Sequence, residues 1–295
     1  MLQRFRTTLW PGTVLPPPPL RPLPSAEVRG DWIGWRIASG HARDLVELPA
    51  DFYLRELMEL DPGDLEGVAE LCRSYGKPFG WGFSEVNIES YDHTEYDRIK
   101  AIPEGGHAEG DPLWVHGYHK DYVRLHLEIA QGAIRTWIAL QTEGGVEELV
   151  EPGVTDDELR RIQEENADAG ELWPADLDNL RKLLIDTRID EFKETLNAAL
   201  REYSVGIGDL SEKDSTIYSC SFLQLYNHMA EESVFRRCAS ETCRCVFVRQ
   251  RGRAKFDQHR TEGVLYCSRE CARAQAQRQL RRRRKQENGT GMPTS

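Results

Sequence analysis

Apolar side chains recur every three to four residues through most of residues 31–235, which is the spacing of amphipathic α-helices. The longest pattern covers residues 111–142, and another covers residues 186–203. The apolar positions of the first are Val115, Tyr118, Tyr122, Leu125, Ile129, Ile134, Trp137, Ile138 and Leu140. Those of the second are Ile189, Phe192, Leu196, Leu200 and Tyr203. These patterns predict a mainly helical domain over residues 31–235.

Shorter segments extend this interpretation. Residues 48–60 carry a broad apolar face, and residues 221–233 read as the last helix of the domain. Residues 61–76 predict a helix that ends at Gly76, because glycine readily adopts the left-handed conformation that closes many helices.

Two further segments carry local signals. Thr155 is followed three residues later by Glu158, which is the spacing of a capping box at a helix start. Residues 205–220 are interpreted as a short hairpin.

The first 30 residues contain the segment "LPPPPLRPLPS". Such sequence favours extended polyproline II and lacks a core-forming pattern, so we expect residues 1–30 to be a disordered tail. A docking peptide for a proline-reading domain is the alternative. Residues 286–295 are also expected to be a disordered tail.

The composition is that of a soluble globular protein. Apolar residues make up 39% of the 295 residues and charged residues 29%. We find no stretch with the roughly 18–20 uninterrupted apolar residues of a membrane helix and no signal-peptide pattern, so we expect a cytoplasmic protein that does not bind membranes.

The charge is unevenly distributed along the chain. Residues 236–285 hold sixteen Lys and Arg against four Asp and Glu, a net charge of +12. The net charge of the whole chain is −11, so the other residues together carry −11 − 12 = −23. A basic end on an acidic body favours polyanionic partners for that end.

Five of the seven cysteines fall within the same basic segment, whereas Cys72 and Cys220 are predicted to be buried apolar side chains. Two pairs stand out, spaced C-x4-C and C-x3-C, and they predict a structural site for one Zn²⁺ because four thiolates complete its tetrahedral shell. The predicted ligands are Cys238, Cys243, Cys267 and Cys271.

Other ligand sets remain open. Cys245 could pair with Cys243 as a tighter C-x-C chelate in place of Cys238, and His259 could replace one thiolate. Free surface thiols are disfavoured, because five exposed cysteines would be prone to oxidation.

The order of elements around these cysteines predicts a treble-clef-like finger over residues 236–285. Residues 245–250 and 263–267 are predicted as the strands of a hairpin. Ser268 is a natural N-cap, which places Cys267 just before a helix and Cys271 one turn into it. The predicted fold class is therefore mainly α (α+β), a helical N-terminal domain followed by a small C-terminal treble-clef-like zinc finger.

Residues 236–285, "RRCASETCRCVFVRQRGRAKFDQHR…YCSRECARAQAQRQLRRRRK", resemble the C-terminal finger of the bacterial CGNR-type zinc-finger proteins. In that family a helical domain, often called ABATE, precedes the finger. The resemblance implies a DNA-binding transcriptional regulator. The chain departs from the C-G-N-R signature, since it has Cys271-Ala272-Arg273-Ala274 there.

A slim Arg-rich helix anchored by zinc can lie in a major groove, with basic residues of the hairpin on the phosphates. The candidate nucleic-acid-binding residues are Arg249, Arg251, Arg253, Lys255, Arg269, Arg273, Arg278, Arg281, Arg282, Arg283, Arg284 and Lys285. The sequence does not separate DNA from RNA, although DNA is the partner we expect. The rival functions are a protein–protein adaptor whose finger docks on an acidic partner or on its own acidic domain, and a solvated basic tail.

We expect no enzymatic activity. His116, His119 and His126 lie close in sequence but match no H-E-x-x-H pattern, and we find no G-x-S-x-G motif or phosphate-binding glycine loop. A treble-clef nuclease is the alternative, although the finger helix supplies arginines where such enzymes need ligands. The helical domain is expected to sense an effector, form a homodimer or mask the finger.

Overall fold

A computed structural model gives the fold. It describes residues 14–37, 45–80, 93–102, 105–108, 110–142, 144–145, 155–166, 174, 176–203, 215–231, 233–249 and 265–289. The helices are α1 (Leu65–Tyr75), α2 (His93–Lys100), α3 (Lys120–Gln141), α4 (Asp156–Glu165), α5 (Leu177–Ala199), α6 (Ile217–Ala230) and α7 (Arg269–Gly289). The strands are β1 (Glu27–Arg29), β2 (Trp32–Arg36), β3 (His107–Ala108), β4 (Asp111–His119), β5 (Val234–Arg237) and β6 (Val246–Arg249). A π-helix (Tyr53–Leu57) and a 3₁₀ turn (Arg201–Tyr203) complete the set, so the predicted mainly α fold class is confirmed.

Four strands form one antiparallel sheet in the order β1-β2-β4-β3. The pairing of β2 with β4 places Trp32 opposite His119 and Trp35 opposite Val115. Gly117 of β4 lies where the ring of Trp35 packs, and a Cβ at this glycine would overlap that ring. The sheet therefore depends on a residue without a side chain at this point.

The predicted single helix over residues 111–142 is wrong in its first part. Residues 111–119 form β4, and α3 begins only at Lys120. His119 has an extended backbone and its side chain accepts a hydrogen bond from the N–H of Asp121, so it caps α3. The aromatic residues of 111–119 suit a strand, and pairing with β2 supplies the hydrogen bonds that the sequence pattern cannot show.

Helix α3 lies at the centre of the core. It packs against α5, α6 also packs against α5, and the π-helix contacts both α3 and α6. Thirteen of the 22 residues of α3 are buried, on more than one face, which is the pattern of a helix enclosed by others. Its buried Gln131 donates to the carbonyl oxygens of Leu57 and Leu60 and so satisfies the end of the π-helix.

Several predicted helix ends are confirmed. Helix α1 ends at Gly76, whose φ is 127° and whose N–H donates to the carbonyl of Cys72. Helix α4 begins with the predicted capping box, in which Thr155 and Glu158 bond to each other's backbone.

The interpretation of residues 205–220 as a hairpin is wrong at its C-terminal end. Residues 217–220 belong to α6, whose N-cap is Thr216. The side chain of Thr216 accepts from the N–H of Ser219, which favours helix from this point. Residues 205–214 of the predicted hairpin lie outside the described residues.

The Pro-rich segment is packed against the body from residue 14 onward, so the prediction of a disordered tail is wrong for residues 14–30. Leu20 is 1% exposed and forms a backbone bridge with Val46. Asn227 of α6 bonds to both backbone groups of Leu15. Apolar burial and these bonds offset the entropy cost of ordering the segment. The predicted C-terminal tail is also wrong for residues 286–289, which belong to α7. Residues 1–13 and 290–295 of the two predicted tails lie outside the described residues.

No helix in the part of the chain that the structure describes has both the length and the apolar character needed to span a membrane.

Candidate metal centre

The C-terminal finger starts from the end of α6. Strands β5 and β6 form an antiparallel hairpin in which Val234 faces Arg249 and Arg237 faces Val246. The loop of this hairpin, residues 238–245, carries three cysteines, and we call it the knuckle. Strand β5 crosses the boundary predicted between residues 235 and 236.

The predicted hairpin between residues 245–250 and 263–267 is wrong in its pairing. Within the described residues β6 pairs with β5, and Leu265 and Tyr266 are not in a strand. The carbonyl of Leu265 instead accepts from the N–H of Ala239 in the knuckle. This backbone bond brings the second cysteine pair next to the first.

The four predicted ligands converge on one point. Their Sγ atoms all lie within 4.8 Å of one another, and they belong to Cys238, Cys243, Cys267 and Cys271. The Sγ of Cys267 is 3.6 Å from that of Cys243 and 3.5 Å from that of Cys271. Sulfur ligands of a tetrahedral zinc ion are about 3.8 Å apart when each Zn–S bond is about 2.3 Å. Four thiolates at this spacing can hold a single thiophilic metal ion.

The fifth cysteine adjoins the set without belonging to it. The Sγ of Cys245 is 3.1 Å from that of Cys243, but it is not among the four sulfurs that share one point. The backbone of Cys245 supports the ligands instead, because its carbonyl accepts from the N–H of Cys238. His259, the other alternative ligand, lies outside the described residues.

The electrostatics of the cluster favour a bound cation. The N–H of Cys245 donates to the sulfur of Cys243 and lowers the pKa of that thiol to about 7. Burial, followed by the neighbouring thiols, raises the pKa of Cys267. Several thiolates in contact repel one another, and a divalent cation at their centre removes that cost.

Cys267 and Cys271, the second pair of ligands, lie at the start of helix α7, where Ser268 is the predicted N-cap. The hydroxyl of Ser268 accepts from the N–H of Cys271 at 3.2 Å. The N–H of Cys267 lies 3.5 Å from the Sγ of Cys238, an orientation that stabilises a thiolate. The knuckle turns at Arg244, whose φ of 50° makes it the one non-glycine residue with positive φ among the described residues.

One side of α7 is bonded to the knuckle. Buried Gln275 donates to the carboxylate of Glu241 at 3.0 Å and accepts from the Glu241 N–H. Arg278 donates to the hydroxyls of Ser240 and Thr242. Arg282 forms a two-pronged salt bridge with Glu241, with both distances 2.7 Å, and this lowers the pKa of the Glu241 carboxyl. These contacts fix the direction of α7 beyond the metal ligands.

The candidate nucleic-acid-binding residues therefore have different surroundings. Arg278 and Arg282 face the knuckle. The exposed residues of the set are Arg269, Arg273, Arg281, Arg282, Arg283, Arg284 and Lys285, of which Arg282 also pairs with Glu241. Arg249 lies in β6, but the structure describes only its backbone, and Arg251, Arg253 and Lys255 lie outside the described residues.

The finger hairpin packs on the helical body. Phe235 of β5 meets the ring of Trp137 in α3 edge to face at 6.1 Å between centroids. Val246 and Val248 of β6 pack against the same core. Arg55 of the π-helix donates to the carbonyl of Cys267 at 3.4 Å while pairing with Asp51.

Sequence reasoning missed Arg55, Glu241 and Gln275. Gln275 lies one turn after Cys271, so helical spacing alone places it on the ligand side of α7. Nothing in the local sequence indicates the contact of Arg55, because 212 residues separate it from Cys267.

The histidines whose side chains the structure describes do not form a second centre. His116 and His119 of β4 lie near the ring of Trp32, at centroid distances of 6.1 and 5.1 Å. His126 is fully buried in α3 and donates to the carbonyl of Tyr122, and burial lowers its pKa to about 3. Among the described residues, the four cysteines are the one group of three or more His, Cys, Asp or Glu side chains close enough to share a metal ion.

Comparison with protein-family models, with curated proteins and with solved structures finds no match for this chain.

Proposed function

We propose that this chain is a zinc-dependent DNA-binding protein that acts as a transcriptional regulator. The finger is the DNA-binding unit and performs no catalysis. The helical body regulates it by binding an effector, by pairing with a second copy or by masking the finger. This is the layout that the resemblance to the CGNR-type proteins implies, in a reducing cytoplasmic compartment.

Zinc is the metal that we assign to the four cysteines. A complete set of four thiolates with C-x4-C and C-x3-C spacing is typical of structural zinc sites. Such a site leaves no open position for a substrate, so its role is to hold α7 against the knuckle.

The observation that carries the proposal is the two-sided environment of α7. One side is bonded to the knuckle through Gln275, Arg278 and Arg282. The other side, which includes Arg273, Arg281, Arg283 and Arg284, is exposed. A rigid cationic helix that projects its charges into solvent suits the phosphates and groove of duplex DNA.

The acidic body supports the same orientation. Because residues outside 236–285 carry −23, the body repels a polyanion and favours approach from the finger side. Arg278 and Arg282 bond to Ser240, Thr242 and Glu241 of the finger itself, which argues against the body as the surface on which α7 docks.

The test measures binding of the zinc-loaded full chain to duplex DNA at 50 and 200 mM salt. The variant replaces Arg281, Arg283 and Lys285, which are exposed, by alanine. We expect weaker binding and a slope of log affinity against log salt that is smaller by about 2.7, since each lost phosphate contact contributes about 0.9.

A matched control removes the same number of charges from the body. Arg160, Arg161 and Arg188 are exposed residues of α4 and α5, and their replacement by alanine should leave the salt slope unchanged. Absence of DNA binding by the zinc-loaded wild type at 50 mM salt overturns the proposal. Retention on an acidic polypeptide in that case identifies the protein–protein adaptor.

A further inference from the structure

We propose that α7 reads DNA sequence in the major groove, with Gln277 and Leu280 as specificity-determining residues. This inference rests on the proposed function, because it concerns what the exposed face of the same helix recognises. The arginines of α7 alone would give only non-specific attraction to DNA, whereas Gln277 and Leu280 add contacts that depend on the base sequence.

Two opposite stripes with the same spacing run along α7. The first consists of Cys271, Gln275, Arg278 and Arg282, and all four reach the metal centre or the knuckle. The second is displaced by two residues and consists of Arg273, Gln277, Leu280 and Arg284, all exposed. A displacement of two residues turns a helix by about 200°, so the second stripe lies opposite the first. The metal centre thus fixes which face of α7 points away from the protein.

The chemistry of the exposed stripe matches base edges. A glutamine amide can bond to adenine N6 and N7, an arginine fork to guanine O6 and N7, and an apolar side chain to the methyl group of thymine. Leu280 is 50% exposed and is followed by Arg281 in the sequence and by Arg284 one turn later. A helix that only neutralised phosphates would gain nothing from an amide and a leucine at the centre of its exposed face.

Arginines flank this stripe on both sides. At about 100° per residue, Arg281 and Arg283 lie about 80° to either side of the middle of the stripe. Both are exposed. In a groove about 12 Å wide, this arrangement directs one arginine to each phosphate backbone while the central residues face the bases.

The length of the exposed stripe matches a short run of base pairs. From Arg273 to Arg284 the helix rises about 16 Å, which corresponds to about five base-pair steps of about 3.4 Å. A single finger of this kind should therefore recognise a sequence of about four to five base pairs.

The experiment selects bound duplexes from a random library with the zinc-loaded full chain and then measures affinities for the selected and for a scrambled duplex. We expect an enriched core sequence. Gln277→Ala and Leu280→Ala should each lower affinity for the selected duplex about tenfold and leave affinity for the scrambled duplex within about twofold.

Two controls separate base contacts from general effects. Gln279→Ala removes an exposed glutamine that lies on neither stripe and should leave both affinities unchanged. The double variant Arg281→Ala, Arg283→Ala should weaken both affinities by a similar factor. Zinc content, measured for each variant, verifies that the finger remains assembled.

The outcomes distinguish this inference from the proposed function. Salt-dependent binding without an enriched sequence, or equal losses on both duplexes in the Gln277→Ala and Leu280→Ala variants, overturns the reading of bases and leaves DNA binding standing. Stronger binding to RNA than to duplex DNA also overturns it. Absence of nucleic-acid binding overturns both proposals.

Discussion

The surroundings of each cysteine decide what its thiol can do. Burial raises the pKa of Cys72 to about 12, so this thiol stays protonated within the core. In the finger, the N–H of Cys245 lowers the pKa of Cys243 to about 7, which favours the thiolate that a metal requires. Burial raises the pKa of Cys245 itself to about 11, with the Cys243 thiol adding to the effect.

The roles of the five finger cysteines lead to a prediction about zinc content. The purified chain should contain one zinc ion per chain, measured by mass spectrometry of the metal. Cys267→Ser should lose this zinc, because three thiolates leave the shell incomplete. Cys245→Ser should keep it, since Cys245 is outside the converging set.

Cys238→Ser serves as the comparison for Cys245→Ser. If Cys238→Ser retains a full equivalent of zinc while Cys245→Ser loses it, the metal is held by the Cys243 and Cys245 pair and the assigned ligand set is wrong.

A second residue-scale prediction concerns pH. His228 is buried, its Nδ1 lies 2.7 Å from the hydroxyl of Tyr53, and burial lowers its pKa to about 4. The unfolded chain, with a histidine pKa near 6.5, therefore binds more protons than the folded chain between about pH 6.5 and 4. Stability that is present above pH 6.5 is lost as the pH falls through this window, by about 2 kcal/mol between pH 7 and 5.

The measurement is the free energy of unfolding by urea at pH 7 and at pH 5. His228→Gln keeps an acceptor for Tyr53 but does not titrate, so its loss between the two pH values should be smaller than that of the wild type by about 2 kcal/mol. Zinc release affects both proteins alike and cancels in the comparison. His107→Gln, a change at an exposed histidine, should behave as the wild type does, and an equal pH dependence in His228→Gln contradicts the prediction.

At the scale of elements, short segments are held by contacts from distant ones. The backbone N–H of Leu23 donates to the carbonyl of Cys72 near the end of α1. The carbonyl of Arg21 lies where a Cβ of Gly76 would be. The end of α1 and the Pro-rich segment therefore fit together only with glycine at position 76.

Two glycine substitutions test this fit. Gly76→Ala combines a strained φ of 127° with an overlap on Arg21 and should lower the free energy of unfolding by about 3 kcal/mol. Gly30→Ala has a φ of 60° but meets open space, so it should cost about 1 kcal/mol. Urea unfolding at pH 7 measures both, and equal costs would show that the contact with Arg21 contributes nothing.

The sequence predicts what its local patterns determine. The four ligands follow from the spacing of the cysteines, and the start of α7 follows from Ser268. Strand β4 is different, because Trp114 and Tyr118 are four residues apart and fit a helix as well as a strand. Only pairing with β2 settles the choice, and the short local pattern of residues 111–119 does not contain that information.

The same limit applies to the arginines of α7. Helical spacing shows that Arg278 and Arg282 share the side of Cys271, but it does not show what lies against that side. The position of the knuckle, set by the carbonyl of Leu265 and the N–H of Ala239, determines which arginines are already engaged.

At the scale of the whole molecule, the finger is continuous with the body. Phe235 contacts Trp137, which in turn stacks on Phe192 of α5 at 5.9 Å. Arg55 bonds to the carbonyl of Cys267 beside the metal ligands. The cysteine cluster, the finger hairpin and the centre of the helical core thus form one chain of contacts, along which a change at the cysteines can reach the body.

This continuity predicts that zinc removal loosens the core near the finger. Amide hydrogen exchange should quicken in residues 132–141 of α3 and 189–196 of α5, because the hairpin no longer covers them once the knuckle opens. Exchange in β1 and β2, which pack elsewhere in the body, should change little. Phe235→Ala removes the contact with Trp137 even when zinc is bound. With zinc present, amides of α3 should therefore exchange faster in this variant than in the wild type, and zinc removal should change their exchange little. If zinc removal leaves α3 unchanged in the wild type, the finger is an independent module, and the body cannot sense its metal through this route.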